Sequence, residues 1–338
     1  MKSFVRNIFL LILSATVAPS AMNAFTLDSY APSSVLSTGR WVKISVEESG
    51  PHFISTSSLR SWGFSDPSKV RVFGYGGARI PDQLSQSSYV DDLPLVKSEL
   101  TASGLVFYAQ GPGVWTRERN DIFNHSLNPY TTKGYYYLTD SQTEIDNTIP
   151  TEGSAPSVTP ATTFIERLWH EQDLITPAES GHQLVGEDFR YTPTRIFNFQ
   201  LPGRVEDTEV WMQCEFFAKC TSATVGLSIS ANGQTLPAGR TDFVRKSSLW
   251  GDTCRIRKRF TPKGTSLALG VGVTISAPVT LANLERLTVT YTRSLSLPAT
   301  GNLVFTSSDR SLKLDGAKSD TRVWDVNKSC LPHSHASH

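Results

Sequence analysis

From Trp41 onward, apolar and polar residues alternate in short runs that are cut at close intervals by Gly, Pro and Asn. Alternation with a period of two sends successive side chains to opposite faces, the signature of a half-buried strand. A mostly β fold follows. Trp41-Val42-Lys43-Ile44-Ser45-Val46 shows the pattern most clearly. Glu48-Ser49-Gly50 then turns the chain, and His52-Phe53-Ile54 is expected to pair back as a hairpin. Thr56 or Ser57 can cap a short helix through Leu59 and Trp62, which Gly63 ends in a left-handed conformation. Val70-Arg71-Val72-Phe73 reads as a strand stopped by Gly74-Tyr75-Gly76-Gly77. Leu105-Val106-Phe107-Tyr108 is an apolar strand broken by Gly111-Pro112-Gly113, and Gly134-Tyr135-Tyr136-Tyr137-Leu138-Thr139 is rich in β-favouring aromatics.

These segments form an N-terminal β-rich domain, 25–140. Residues 141–162 lack an apolar period, are rich in Thr, Ser, Pro and acids, and read as a linker. From 163 to 326 short strands recur at 194–199, 210–217, 224–230, 266–273 and 287–291, with turns such as Ala231-Asn232-Gly233 between them. That spacing suggests a jelly-roll-like β-sandwich. Residues 302–306 and 321–326 also read as strands. The tail, 327–338, has no period.

The first residues carry Lys2 and Arg6 ahead of an apolar run over 8–18, then small residues ending at Ala21 and Ala24. This is the layout of a secretory signal peptide, 1–24, with cleavage after Ala24 or, second, after Ala21. The run is shorter than the roughly 20 residues that cross a bilayer. A retained anchor is the other reading. An exported chain, bound for the periplasm or the outer-membrane surface, is expected. Hydrophobic residues at 39% and charged residues at 19% give a globular composition, and a net charge of +1 sets up no field for nucleic acid.

Four cysteines, Cys214, Cys220, Cys254 and Cys330, meet an oxidising compartment on export. Cys214 and Cys220 could bridge a strand end to a loop; buried thiols fit equally well. The spacing matches neither a zinc ribbon nor a C-x-x-C redox pair. A cysteine nucleophile needs an imidazole within hydrogen-bond reach. The candidates His52, His125, His170 and His182 sit in no motif that pairs them with a thiol, and G-x-S-x-G is absent. Gly74-x-Gly76-Gly77 has the wrong spacing for a dinucleotide loop. Glu187-Asp188 and Asp91-Asp92 are adjacent carboxylates, which on a strand face opposite ways, so a turn or a calcium-tolerant loop is expected at each. His170-Glu171 lacks a second histidine at zinc spacing. The terminal His333, His335 and His338 suit a frayed end, and the sequons at Asn124 and Asn327 suit chance. No catalytic, cofactor-binding or metal-binding residue is expected, and no cofactor.

Arg255, Arg257 and Arg259 alternate in Cys254-Arg255-Ile256-Arg257-Lys258-Arg259-Phe260 and share one face of a strand. A solvated or edge-protecting face is one reading, and a strip for an acidic surface is the sharper one. Most of the seven tryptophans are expected in the core, since large aromatics dominate β cores.

Several strings in shared order resemble the region ahead of the protease domain in the gingipain-like, PorU-type sortases of the type IX secretion system. They are Ser34-Val35-Leu36-Ser37-Thr38-Gly39-Arg40-Trp41-Val42-Lys43-Ile44, the run from Gly63-Phe64-Ser65-Asp66-Pro67 to Phe73-Gly74-Tyr75-Gly76-Gly77, and Asp91-Asp92-Leu93-Pro94. Val106-Phe107-Tyr108-Ala109-Gln110-Gly111-Pro112, Leu127-Asn128-Pro129-Tyr130, Ser180-Gly181, Gly186-Glu187-Asp188-Phe189 and Trp324-Asp325-Val326 continue the series. The resemblance implies a non-catalytic accessory region of an enzyme that removes C-terminal sorting signals from exported cargo and joins the cargo to surface lipopolysaccharide. It also implies a histidine and a cysteine in a domain beginning after Val326, and as partners that protease domain, a secretion-system component at the outer membrane, or the cargo. A family-like body ending in an unlike tail suggests a truncated or frameshifted reading frame, or a fragment. A free-standing secreted β-sandwich that binds glycan or a cell-surface partner is the alternative.

Overall fold

The computed structural model describes residues 30–82, 91–119, 122–149, 159–177, 181, 183–220, 224–239, 243–245, 250–276, 278–308, 311–319 and 321–326. The expected signal segment, His182, Asn327, Cys330, the terminal histidines and part of the expected linker lie outside them. The chain divides into two units, Met1–Thr38 with Pro81–Leu93, and Gly39–Ile80 with Pro94–His338. In the first, a short 3-10 turn, Val35–Ser37, is capped by Ser34. The carboxylate of Asp92 accepts from the Ser34 hydroxyl and from the backbone N–H of Val35 and Leu93. Burial pushes that carboxyl up, but these bonds outweigh it and hold it below the usual range.

The second unit opens with nine strands and one helix: β1 (Val42–Val46), β2 (Gly50–Ser55), α1 (Thr56–Ser61), β3 (Arg71–Gly76), β4 (Leu95–Val96), β5 (Ser98–Leu100), β6 (Gly104–Ala109), β7 (Val114–Arg119), β8 (Ile122–Ser126) and β9 (Gly134–Thr139). They form two sheets, β1-β9-β3-β4 and β2-β6-β5, and a hairpin, β7-β8. The expected β1–β2 hairpin does not form. β1 pairs with β9, Val42 opposite Leu138, and β2 pairs with β6, Ile54 opposite Leu105. Alternation fixes which face of a strand is buried and leaves its neighbour open. Splitting the two strands between sheets puts Val46 and Ile54 into one core with Leu59, Phe64, Phe107, Tyr136 and Leu138.

α1 starts one residue earlier than expected. Ser55 is its cap, with the hydroxyl accepting from Ser58 N–H at 3.0 Å. Its end follows the sequence reading. Gly63 takes φ +90°, its N–H donates to Arg60 O at 2.9 Å, and Phe64 N–H donates to Leu59 O at 3.1 Å. This is a Schellman ending, and its apolar contact comes from Leu59 and Phe64, both fully buried. Gly74 does not stop β3. The strand runs on to Gly76 through a register irregularity after Phe73. Gly74 is required there because a Cβ would stand 2.8 Å from Tyr135 O.

β10 (Thr163–Glu171), β11 (Thr194–Gln200), β12 (Val210–Lys219), β13 (Thr224–Ala231), β14 (Gln234–Thr235), β15 (Phe243–Arg245), β16 (Asp252–Phe260), β17 (Ser266–Ile275) and β18 (Leu281–Ser294) make the second block. One sheet runs β10-β18-β12-β16; the other runs β11-β17-β13-β14, with β15 also on β13. This strand order is that of a jelly roll. Alternate residues of each strand fill the space between the sheets: Met212, Cys214 and Phe216 from β12, Leu227 and Ile229 from β13, Leu269 and Val271 from β17, Leu287 and Val289 from β18.

Residues 302–306 and 321–326 are not strands. The alternation is present but no partner ladder is. Phe305 packs on Phe164 of β10 at 5.5 Å, and Arg167 donates to the Thr306 hydroxyl at 3.0 Å, so side chains make the contact. Among the described residues no helix is long and apolar enough to cross a membrane.

Replacing Gly63 by Ala forces a Cβ into the left-handed region at the end of α1. A loss of about 1 kcal/mol is expected, read as a fall of about 2–4 °C in Tm by calorimetry.

Candidate functional site

The outward face of β10-β18-β12-β16 should, by alternation, meet water. Instead it is polar and largely buried beneath the β7–β8 hairpin. Glu215 is 2% exposed, and Gln213, Thr288 and Thr290 are also buried. β18 contributes through a bulge: opposite Glu215 and Phe216 of β12 stand Arg286 and Leu284, so Glu285 is the extra residue. That keeps Leu284 and Leu287 in the core while Arg286 turns outward. Its guanidinium reaches Glu215 Oε2 at 2.6 Å and Glu171 Oε1 at 3.6 Å. Arg255 meets the other Glu215 oxygen at 2.9 Å, and Gln213 Nε2 donates to the same oxygen at 2.8 Å.

From above, β8 supplies His125. It is 2% exposed, with Nδ1 at 2.9 Å from Glu171 Oε2. Its ring stacks on Trp169 at 4.2 Å and meets the edge of Trp115 at 4.8 Å. Asn124 accepts from Gln213 Nε2 at 3.1 Å. Its side chain is therefore seated against the sheet, which leaves the sequon there a structural residue. Beside it a cavity of about 10 Å³, lined by Ile122, Phe123, Trp211, Gln213, Arg257 and Thr290, has room for one water.

The arginine stripe belongs to this layer. β16 is an edge strand, and each arginine meets its cross-strand neighbourhood on β12 or the hairpin. Arg257 donates to Gln213 Oε1 at 2.6 Å and pairs with Glu118 of β7 at 2.5 Å. Arg259 pairs with Glu209 at 2.9 Å and lies 3.8 Å over the Trp211 ring. Arg257 is drawn into the layer, while Arg255 and Arg259 stay exposed along the edge with their charges paired, which favours the edge-protecting reading over the acidic-surface one. The tryptophan expectation is also corrected. None of the seven is fully buried: Trp62, Trp169 and Trp250 are exposed and the others half-buried. An indole that must satisfy its N–H suits a layer boundary better than a dry core.

The remaining candidates are held in structural pairings. His170 points to the other side of β10, with Nε2 at 2.6 Å from Glu187 Oε1 and its ring 4.7 Å from Phe197. His52 Nε2 lies 3.1 Å from Glu48 O. Asp188 forms an ion pair with Arg190 at 2.6 Å, while its neighbour Glu187 serves His170, so the two carboxylates do different things. Cys214, Cys220 and Cys254 are buried thiols. A Cys214–Cys220 bridge is ruled out by β12 itself: six extended residues span about 20 Å, and a disulfide needs Cα atoms within about 7 Å. Cys214 faces the sandwich core while Gln213 and Glu215 beside it face the hairpin, so thiol and His125 lie on opposite sides of one sheet. Among the described residues no three His, Cys, Asp or Glu side chains converge as a metal site.

Burial raises the Glu285 carboxyl; Arg286 works against it and Glu215 adds to it. A carboxyl raised by folding adds stability below its unfolded value and loses it as pH climbs through the folded one. Glu285→Gln removes that loss. The variant should gain stability relative to the native chain as pH rises above the ordinary glutamate range, read in urea titrations. His125→Ala removes the ring stack and a partner of buried Glu171. About 3 kcal/mol should be lost, and tryptophan fluorescence should change with it.

No family model matches the sequence, and no curated protein matches it. Among solved structures, the chain is similar to dimeric latent PorU from Porphyromonas gingivalis, with 32% identity and a TM-score of 0.69 over 79% of this chain and 25% of that one. The chain thus spans about a quarter of the PorU chain it matches. The insecticidal delta-endotoxin Cry8Ea1 of Bacillus thuringiensis aligns at 11% identity and TM-score 0.26, over 65% of this chain and 41% of that one. Infectious bursal disease virus, Gt strain, aligns at 12% and 0.23, over 82% and 76%. Scores that low carry no argument. With a third of aligned residues identical and one superposable arrangement of sheets over most of its length, the chain is a PorU-like region.

Proposed function

We propose that this chain is a non-catalytic accessory region of a gingipain-like, type IX secretion sortase. Its role would be to hold a protease domain, a secretion-system component or exported cargo in fixed geometry at the outer membrane. The likeness to a quarter of PorU carries the reading. Two further features support it. A nucleophile and its base must lie within hydrogen-bond reach, whereas Cys214 and His125 occupy opposite sides of one sheet. The two blocks are joined by a buried ionic layer, so a partner seated on one is held rigidly against the other. The leader-like segment 1–24 fits export to the periplasm or the cell surface.

Purified chain, incubated with a cargo bearing a C-terminal sorting signal, should leave it intact. Added in trans to PorU lacking the matching quarter, it should restore cargo processing. Cleavage by the chain alone that disappears in Cys254→Ser would sink the proposal, as would a failure to restore processing.

A further inference from the structure

The edges of the jelly roll are not treated alike. β16 bears Arg255, Arg257, Arg259 and Lys258, charge that discourages strand addition. β10 is bordered by Phe305 and Thr306. β14 and β15 are two and three residues long. β11 is seven residues long, and among the described residues it pairs with β17 alone. Its one charged residue, Arg195, turns its guanidinium back to Asp188 O at 2.9 Å.

The ladder shows which backbone groups of β11 are free of β17. At its two ends Leu201 N–H donates to Thr265 O at 2.7 Å, and Val273 N–H donates to Pro193 O at 2.8 Å. Both pairs continue the register in which Thr194 faces Gly272 and Gln200 faces Ser266. The odd-numbered residues therefore bond to β17. In an antiparallel pair the alternate residues turn N–H and C=O the other way. Thr194, Ile196, Asn198 and Gln200 direct theirs to the open edge. Ile196 is 65% exposed, while Phe197 and Phe199 enter the core.

We propose that β11 is a strand-addition site for an extended peptide segment of a partner polypeptide. A row of outward N–H and C=O groups is matched only by another extended backbone, and such pairing supplies affinity through the main chain. The side chains narrow the partner. Thr194, Asn198 and Gln200 are uncharged and Ile196 is apolar, which favours an uncharged strand with an apolar residue beside Ile196. This goes beyond the accessory role and does not depend on it.

The test is a fluorescein-labelled peptide of four Thr-Val repeats flanked by lysines, titrated by fluorescence anisotropy against the whole chain. Binding is expected, with slowed hydrogen exchange at the Ile196 and Asn198 amides. Asn198→Pro deletes an outward N–H and leaves the β17 ladder whole, so it should weaken binding at least about tenfold while Tm stays near native. Ile196→Lys, which leaves the backbone alone, should do the same and covers the case in which proline unfolds the strand. Absence of binding, binding unchanged in both variants, or protection at β10 or β16 instead would overturn the proposal. A native dimer that Asn198→Pro converts to monomer would assign the edge to a second copy and overturn the peptide occupant.

Discussion

Glu215 is the residue on which the second block turns. It is a carboxylate, 2% exposed, on a sheet face that alternation would give to water. An ion buried without compensation costs several kcal/mol. Arg286, Arg255 and Gln213 together occupy its oxygens, and each comes from a defined register position on β18, β16 or β12. A slip of one residue in β12 would send Glu215 into the apolar core and Met212 or Cys214 out of it. The same pairing explains the bulge in β18, since only an extra residue lets Leu284 and Leu287 face the core while Arg286 faces Glu215. The charge thus acts as a register pin, a use of buried ions that is better attested than any gain in net stability.

The layer above follows from that pin. Arg286 also reaches Glu171, Glu171 holds His125, and His125 is sandwiched by Trp169 and Trp115. The hairpin is seated by directional contacts, with rings at its centre and charges around them. Two apolar cores, one in each block, need no such geometry to cohere. What the polar layer adds is a fixed orientation of one block on the other, which is what an accessory region must supply if it positions something else.

The open edge of β11 stands out against this background. The other edges of the jelly roll carry charge, crossing side chains or short strands. Among the described residues β11 has none of these, yet its core face is well packed by Phe197 and Phe199. The strand is held firmly from one side and leaves a ladder available on the other.

Much was legible in the sequence. Alternation, apolar and aromatic runs and the turn residues between them located β1, β6, β9, β11, β12, β13, β16 and β17 to within a few residues, and Gly63 marked the end of α1, because side-chain pattern and glycine's freedom at positive φ are local properties. The resemblance to PorU-type sortases rested on strings of residues in shared order, and it holds across most of the chain. Strand partners were not legible: β1 and β2 looked like a hairpin and belong to different sheets. Residues 302–306 and 321–326 alternate like strands and have no ladder. The role of Arg255, Arg257 and Arg259 was also hidden, since their partners Glu215, Gln213, Glu118 and Glu209 lie 40 residues or more away in sequence. The thiol and imidazole candidates could be enumerated but not placed. The sequence by itself therefore determined the β class, the faces of most strands and the family likeness, all of which are written in short-range patterns. Only the tertiary structure decided which strands pair, which charges meet and which edge stays open, because those depend on contacts between distant segments that no local period records.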